Sequence, residues 1–360
     1  MTKAHACISV PFLAVLLITC SPASRRTGKY KIALVPSRAG QSGIFVMNSD
    51  TTGGKLLNPN ATAQFRASSW SPDGGRIAFF AQFSEDSELL KKYKMPAHFP
   101  LHVINASGGS QKRLLDFPVS EFEWAPDSRQ LLYISAYEDP AHDDSDVQKG
   151  KRTPQSAVYL LNLQTGEQRR VTGFGQCCFG SWSPDGSYLA LAFGDQRISD
   201  IYIASLDGKR TRRITDSQAI DIKPVWSPDG KRIAFISVAP ESEGGTASAY
   251  MIDADGKNQK RIGDLNAYEV SWSPSGKSLL LWSAEGLFLA YPDENKTVRL
   301  TGGVVQPRDA VLTPDGQGVM FRSNHEGEWY LYAVDLNGGN LRKISGRLTA
   351  STFCFSPLKD

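Results

Sequence analysis

The sequence predicts an all-β fold: a seven-bladed β-propeller closed by pairing of its N- and C-terminal strands. Three observations predict it. A short motif recurs along the chain at intervals of about 40 to 58 residues, the period of a blade rather than of a helical array. Turn formers are abundant, with 32 Gly and 20 Pro among 360 residues. The last copy of the motif stops before a strand that the start of the chain can supply.

The motif is an aromatic residue, then Ser-Pro-Asp-Gly, then a β-rich run. It reads Trp70-Ser71-Pro72-Asp73-Gly74, Trp124-Ala125-Pro126-Asp127-Ser128, Trp182-Ser183-Pro184-Asp185-Gly186 and Trp226-Ser227-Pro228-Asp229-Gly230. Further copies are Trp272-Ser273-Pro274-Ser275-Gly276, Leu312-Thr313-Pro314-Asp315-Gly316 and the truncated Phe355-Ser356-Pro357. Proline presets φ for a tight turn, Asp accepts from nearby amides and Gly takes the left-handed position. The recurring aspartates are therefore turn residues, and the aromatic before each turn is a wedge between blades.

Each unit continues with an amphipathic strand, a polar turn and a short outer strand, as in Ile201 to Gly208 followed by Arg213-Ile214-Thr215. Similar strands begin near Ile44, Leu101, Val158, Ala249, Leu287 and Tyr330. Four short strands per unit is the pattern of a propeller blade. Closure follows from the ends: Gly28 to Val35 matches what comes after the motif elsewhere, so it completes the unit begun at Phe355. Six blades is the alternative if the weak sixth copy, at Leu312, forms no blade.

These aromatic-Ser-Pro-Asp-Gly-Lys-x-Ile-Ala-Phe repeats resemble the TolB-like propeller family over residues 29–360, without the N-terminal α/β domain of TolB proper. The resemblance implies a repeat type used by binding proteins, lyases and peptidase accessory domains, so function must come from the site.

At the N-terminus, Lys3, the apolar run Ile8 to Ile18 and small residues near Cys20 read as an export signal over residues 1–19, with a short linker at 20–28. Leu17-Ile18-Thr19-Cys20 resembles the lipobox of bacterial lipoproteins, with Thr19 in place of the usual small residue, so Cys20 is a candidate acylation site. Ser21-Pro22-Ala23 offers the alternative of cleavage and release as a free periplasmic or secreted protein. Cys177, Cys178 and Cys354 make no disulfide framework and read as buried filler.

Charge and motifs then narrow the function. Lys plus Arg total 40 against 37 Asp plus Glu, a net +3 that gives no electrostatic case for nucleic acid. No nucleophile elbow, His-Glu-x-x-His, Walker loop or Cys-x-x-Cys is present, which points to binding rather than catalysis and to no cofactor. The expected partner is an envelope or cell-surface protein, peptide or glycan, with membrane contact only through a lipid on Cys20.

Two insertions, Ser84 to Pro100 and Tyr137 to Gln155, fall between second and third strands and should crown one face. The first carries Glu88 and Lys92 at helical spacing; the second carries Glu138, Asp139, His142, Asp143, Asp144 and Asp146, an oxygen-rich run without EF-hand spacing. Near the channel mouth on that face, at the start of the inner strands, the candidate binding residues are Arg66, Glu121, Cys178, Lys223, Tyr268, Glu269, Arg308 and Asp309. Their mixed signs suit hydrogen bonding to a peptide or sugar, or simply a water-filled channel. The alternative function is a metal-assisted, oligogalacturonide-type polysaccharide lyase using His98, His142 and His325, which all map to loops on the crowned face.

Overall fold

The structure, a computed structural model, describes residues 30–36, 42–60, 62–83, 99–135, 157–172, 176–194, 198–240, 244–302, 306–344 and 350–358. The expected leader, Cys20, the linker, nearly all of both insertions, His98 and His142 lie outside these residues, as do the side chains of Cys177 and Cys178. Among the described residues the regular structure is β throughout, and no helix is long and apolar enough to cross a membrane.

In chain order the strands are β1 (Lys31–Pro36), β2 (Phe45–Asn48) and β3 (Lys55–Leu56), then β4 (Gln64–Trp70), β5 (Arg76–Gln82), β6 (Leu101–Asn105) and β7 (Lys112–Arg113). Next come β8 (Glu121–Trp124), β9 (Gln130–Ser135), β10 (Ala157–Asn162), β11 (Gln168–Arg170), β12 (Gln176–Trp182), β13 (Tyr188–Gly194), β14 (Ser199–Ser205) and β15 (Thr211–Arg213). They are followed by β16 (Ile220–Trp226), β17 (Arg232–Val238), β18 (Ala247–Asp253), β19 (Lys260–Arg261), β20 (Glu269–Trp272), β21 (Leu279–Ser283), β22 (Gly286–Tyr291) and β23 (Lys296–Arg299). The last are β24 (Arg308–Leu312), β25 (Gly318–Ser323), β26 (Tyr330–Asp335), β27 (Arg342–Lys343) and β28 (Ala350–Phe355).

The motif forms a locked turn between the first two strands of a unit. In the Trp70 copy, the Ser71 hydroxyl donates to Asp73 Oδ1 at 2.5 Å and accepts from the Arg76 amide at 2.9 Å, while the Gly75 amide donates to the same carboxylate oxygen at 2.9 Å. Ser183 with Asp185, Ser227 with Asp229 and Thr313 with Asp315 repeat the arrangement. The Ser183 hydroxyl and the Ser187 amide hold the Asp185 carboxyl below the usual carboxylate range. At the departures the turn persists: Ala125 has no hydroxyl to offer, yet Asp127 still accepts from the Arg129 amide at 2.8 Å, and Ser128 adopts φ 61° where other copies have Gly.

Consecutive turns touch. A Cβ added to Gly230 would lie 3.7 Å from Pro184, and one on Gly276 would lie 3.5 Å from Pro228, so the proline of one turn packs on the glycine of the next. The same contact, at 3.2 Å, links Gly74 to Pro357 and carries the row of turns across the two chain ends.

The chain ends share a sheet. β1 pairs antiparallel with β28 in the register Ile32↔Phe355, Ala33↔Cys354 and Leu34↔Phe353, giving the order β28-β1-β2-β3. The Lys31 amide donates to Ser356 Oγ at 2.8 Å, the serine-to-amide bond of the other turns made between residues 325 apart.

The count of seven separate blades is corrected by the sheets themselves. Five four-stranded sheets stand alone: β28-β1-β2-β3, β4–β7, β8–β11, β20–β23 and β24–β27. The strands β12 to β19 form one eight-stranded sheet, so there are five free-standing blades and a double-width sheet. The cause is local. The parallel bridge Ser199↔Ile220 joins β14 to β16, and the Ser199 hydroxyl donates to the Asp221 carbonyl at 3.0 Å.

Apolar faces of neighbouring units bury one another, as where Ala78, Phe80 and Leu101 meet Trp124, Tyr133 and Tyr159. Cys354 is free and buried, and burial pushes its thiol up to about 12. Glu123 departs from this pattern: both of its carboxylate oxygens are shut off from water with no well-formed hydrogen bond. Burial pushes that carboxyl well above the usual range, the Trp182 backbone offsets part of the effect and Glu121 adds to it.

Two outcomes follow from these contacts. Ile32 is fully buried in the shared sheet, so Ile32→Ala should lower unfolding stability by about 2–5 kcal/mol in a denaturant titration. For Glu123 the folded pKa lies above the unfolded one, so stability falls as pH rises from the unfolded value toward the folded one. Melting curves should show Glu123→Gln more stable than the parent at pH 8, with the gap closing near pH 4, where both side chains are neutral.

Candidate binding site at the channel mouth

The inner strands β4, β12, β16 and β24 slip register a few residues before the motif aromatic, at Arg66/Ser68, Cys178/Gly180, Ile222/Val225 and Arg308/Val311. Each slip is a β-bulge, which bends the strand and re-aims its side chains. In three of them a non-glycine residue takes a left-handed φ: Ala67 at 35°, Lys223 at 56° and Asp309 at 51°. Such backbone is costly and persists where surrounding contacts enforce it.

Two of those residues carry charge, and the structure brings them into one array. Lys223 donates to Glu269 Oε1 and to the Tyr268 carbonyl, each at 3.3 Å. Asp309 accepts from Arg322 Nε at 2.5 Å. Arg322 stands on β25 directly across from Arg308, a like-charge pair that would be unfavourable without Asp309 bound to Arg322. The Arg308 guanidinium lies 4.6 Å from the Trp282 ring centre, and that ring meets Tyr268 at 5.3 Å. Arg322 lies over Trp329 at 5.0 Å. Three successive inner strands, β16, β20 and β24, together with Arg322 of β25, thus present three cations and two carboxylates around an aromatic platform whose Tyr268 is 40% exposed.

Burial pushes the Glu269 carboxyl above its usual value, with Lys223 pulling the other way and Asp309 adding to the rise. Asp309 is raised by burial too, against Arg322. Clustered groups displaced in this way mark functional sites more often than chance. Chemically, the array can accept from ligand hydroxyls and amides, bind a carboxylate at Arg308, and stack a ring or sugar face on Tyr268 and Trp282.

Of the sequence candidates, Lys223, Tyr268, Glu269, Arg308 and Asp309 come together. Arg66, on β4, instead lays its guanidinium over Phe99 at 4.1 Å, and Glu121, on β8, lies beside the buried Glu123. The sequence reading missed Trp282, Arg322 and Trp329, which belong to second strands and the loop beyond. The cross-strand register opposite Arg308 is the signal that finds Arg322.

His325 is occupied locally: its Nδ1 lies 3.0 Å from the Ser323 hydroxyl, its ring 4.8 Å from Tyr332, and its Nε2 3.7 Å from Glu326. Among the described residues no group of three or more His, Cys, Asp or Glu side chains could hold a metal ion.

Comparison with known proteins agrees with this architecture. Residues 150–290 match the family described as the TolB beta propeller domain. An uncharacterised peptidase, YuxL, of Bacillus subtilis is 27% identical over 210 residues, which cover 57% of this chain and 29% of that protein. The Tol-Pal system protein TolB of Anaeromyxobacter dehalogenans is 29% identical over 125 residues, covering 33% of this chain and 24% of that one. The chain therefore spans less than a third of either relative's length. Among solved structures, oligogalacturonate lyase from Vibrio parahaemolyticus superposes with a TM-score of 0.66 at 14% identity, over 90% of each chain, which shows a shared fold. The locked Ser-Pro-Asp-Gly turns recur from the first described units to the last, and over residues 150–290 this repeat matches the TolB beta propeller domain, which the chain as a whole resembles.

Proposed function

We propose that this protein is an exported, non-catalytic propeller scaffold that takes a protein, peptide or glycan partner of the cell envelope onto the rim where its inner strands begin. The observation that carries this reading is the array of Lys223, Glu269, Arg308, Asp309 and Arg322 beside Tyr268 and Trp282, half-buried and held partly by strained backbone. A rigid polar cluster with an exposed aromatic anchor is how binding surfaces concentrate their energy. The leader-like N-terminus supports an envelope location, with Cys20 as the point of lipid attachment. The lyase reading gains no support from His325, whose ring nitrogens face Ser323 and Glu326.

The test is capture from an envelope extract of the source organism, with bound proteins and glycans identified by mass spectrometry. Lys223→Gln with Arg308→Gln should reduce capture of the partner by about tenfold or more while leaving the melting curve in place, because hot-spot truncations cost on the order of 1–2 kcal/mol or more. Undiminished capture would place the binding surface elsewhere. Separately, Cys20→Ala should move the protein from the membrane fraction to the soluble fraction; an unchanged distribution would remove the lipid anchor.

A further inference from the structure

On the opposite rim, among the locked turns, a cavity of about 740 Å³ opens between the unit β12–β15 and the unit β16–β19. Its volume falls in the range of small-molecule sites. Its origin can be read by comparing interfaces, because one repeat position decides how the gap between two units is filled.

That position begins the second strand, six residues after the motif aromatic. In the Trp70 unit it is Arg76, whose guanidinium lies 5.2 Å from the ring centre of Trp124 in the next unit and donates to the Ser128 carbonyl. In the Trp226 unit it is Arg232, which lies 5.0 Å from the Trp272 ring and donates to the Gly276 carbonyl at 3.3 Å. Both indoles so covered donate across the interface, Trp124 to the Ser69 carbonyl and Trp272 to the Val225 carbonyl, each at 3.1 Å. Where the position holds another residue, the next indole loses its bond: after Lys31, Gln130 and Tyr188, the Nε1 atoms of Trp70, Trp182 and Trp226 are buried without a partner. Of these three, Trp226 lines the cavity, together with Tyr188 and Gly230.

The cavity therefore stands where two sibling interfaces hold a guanidinium, and it retains the features that hold one. Trp226 corresponds to Trp124 and Trp272, and Gly230 occupies the turn position of Ser128 and Gly276. Asp185 and Asp229 contribute negative charge at the turn end of the cavity, each spending Oδ1 on its own turn. Toward the outer strand the wall changes sign. Lys209 and Arg210 line it there, while Arg212 is committed to the carbonyls of Ala254 and Asp255 across the gap. The charge thus runs from negative at the inner turns to positive at the outer strand, over walls of Trp226, Tyr188 and Ile203.

We propose that this cavity is a binding site for arginine at the end of a peptide: the guest guanidinium takes the place over Trp226 that Arg76 and Arg232 take over their tryptophans, and its carboxylate meets Lys209 and Arg210. The site lies on the other rim from the channel-mouth array and is independent of it.

The experiment titrates the mature protein with N-acetyl-L-arginine, following tryptophan fluorescence and calorimetric heat. Saturable binding is expected, at least tenfold tighter than for N-acetyl-L-citrulline, which keeps the shape without the charge, and tighter than for agmatine, which lacks the carboxylate. Tyr188→Arg supplies the protein's own guanidinium, as in the sibling interfaces, and should abolish binding while the melting temperature stays level or rises. Lys209→Glu with Arg210→Glu, two exposed positions, should weaken N-acetyl-L-arginine tenfold or more and leave agmatine no weaker. The proposal is overturned by absence of binding to the parent, by equal binding of citrulline, or by a Tyr188→Arg protein that binds as the parent does. Equal loss of both ligands in the double variant would overturn the placement of the carboxylate.

Discussion

The structure depends on one small hydrogen-bonded unit, the motif serine or threonine hydroxyl shared between an aspartate and an amide five residues on. A hydroxyl can donate once and accept as well, so a single side chain closes the turn and satisfies the first amide of the following strand. The aspartate also accepts from the backbone amide two residues on, and the glycine takes a backbone angle that other residues resist. Because Pro126, Pro184, Pro228 and Pro357 each rest on the glycine of the following turn, fixing one of these turns helps to fix its neighbour. The tryptophan before the turn is then placed at the interface, and the inner strand is led away from it toward the channel mouth.

The same logic explains how the chain ends meet without a covalent tie. Ser356 has its amide partner at Lys31 and Pro357 has its glycine at Gly74, so the two turn contacts used inside the chain are made again between its ends. The edges of β1 and β28 are consumed in the process. Where the units β12–β15 and β16–β19 run together into one sheet, a further contact has been added to this scheme: a serine hydroxyl and one parallel bridge at the mouth side.

Repetition also sets where individuality can appear. The turn keeps its geometry from copy to copy, whereas the residue after it and the bulges before it differ between units, and chemistry collects at both. At the bulges, left-handed Lys223 reaches Glu269 of the next unit, and left-handed Asp309 reaches Arg322 on the second strand of its own. After the turn, the exchange of arginine for tyrosine at 188 opens a cavity over Trp226. The shared fold with a lyase and the sequence likeness to a peptidase and to TolB are consistent with a framework that is kept while its two rims are rewritten.

The sequence by itself determined the repeat, the turn chemistry, the start of each third strand and the pairing partners at the chain ends, because all of these rest on local residue types at fixed spacing. It also pointed to Lys223, Tyr268, Glu269, Arg308 and Asp309, since position before the motif is a local coordinate. What it could not supply was the number of separate sheets, which turned on a single bridge between Ser199 and Ile220, residues whose side chains carry no pairing code. Nor could it show Arg322 beside Asp309 or the unfilled space over Trp226, because register across strands and fit between units are decided only when distant segments pack.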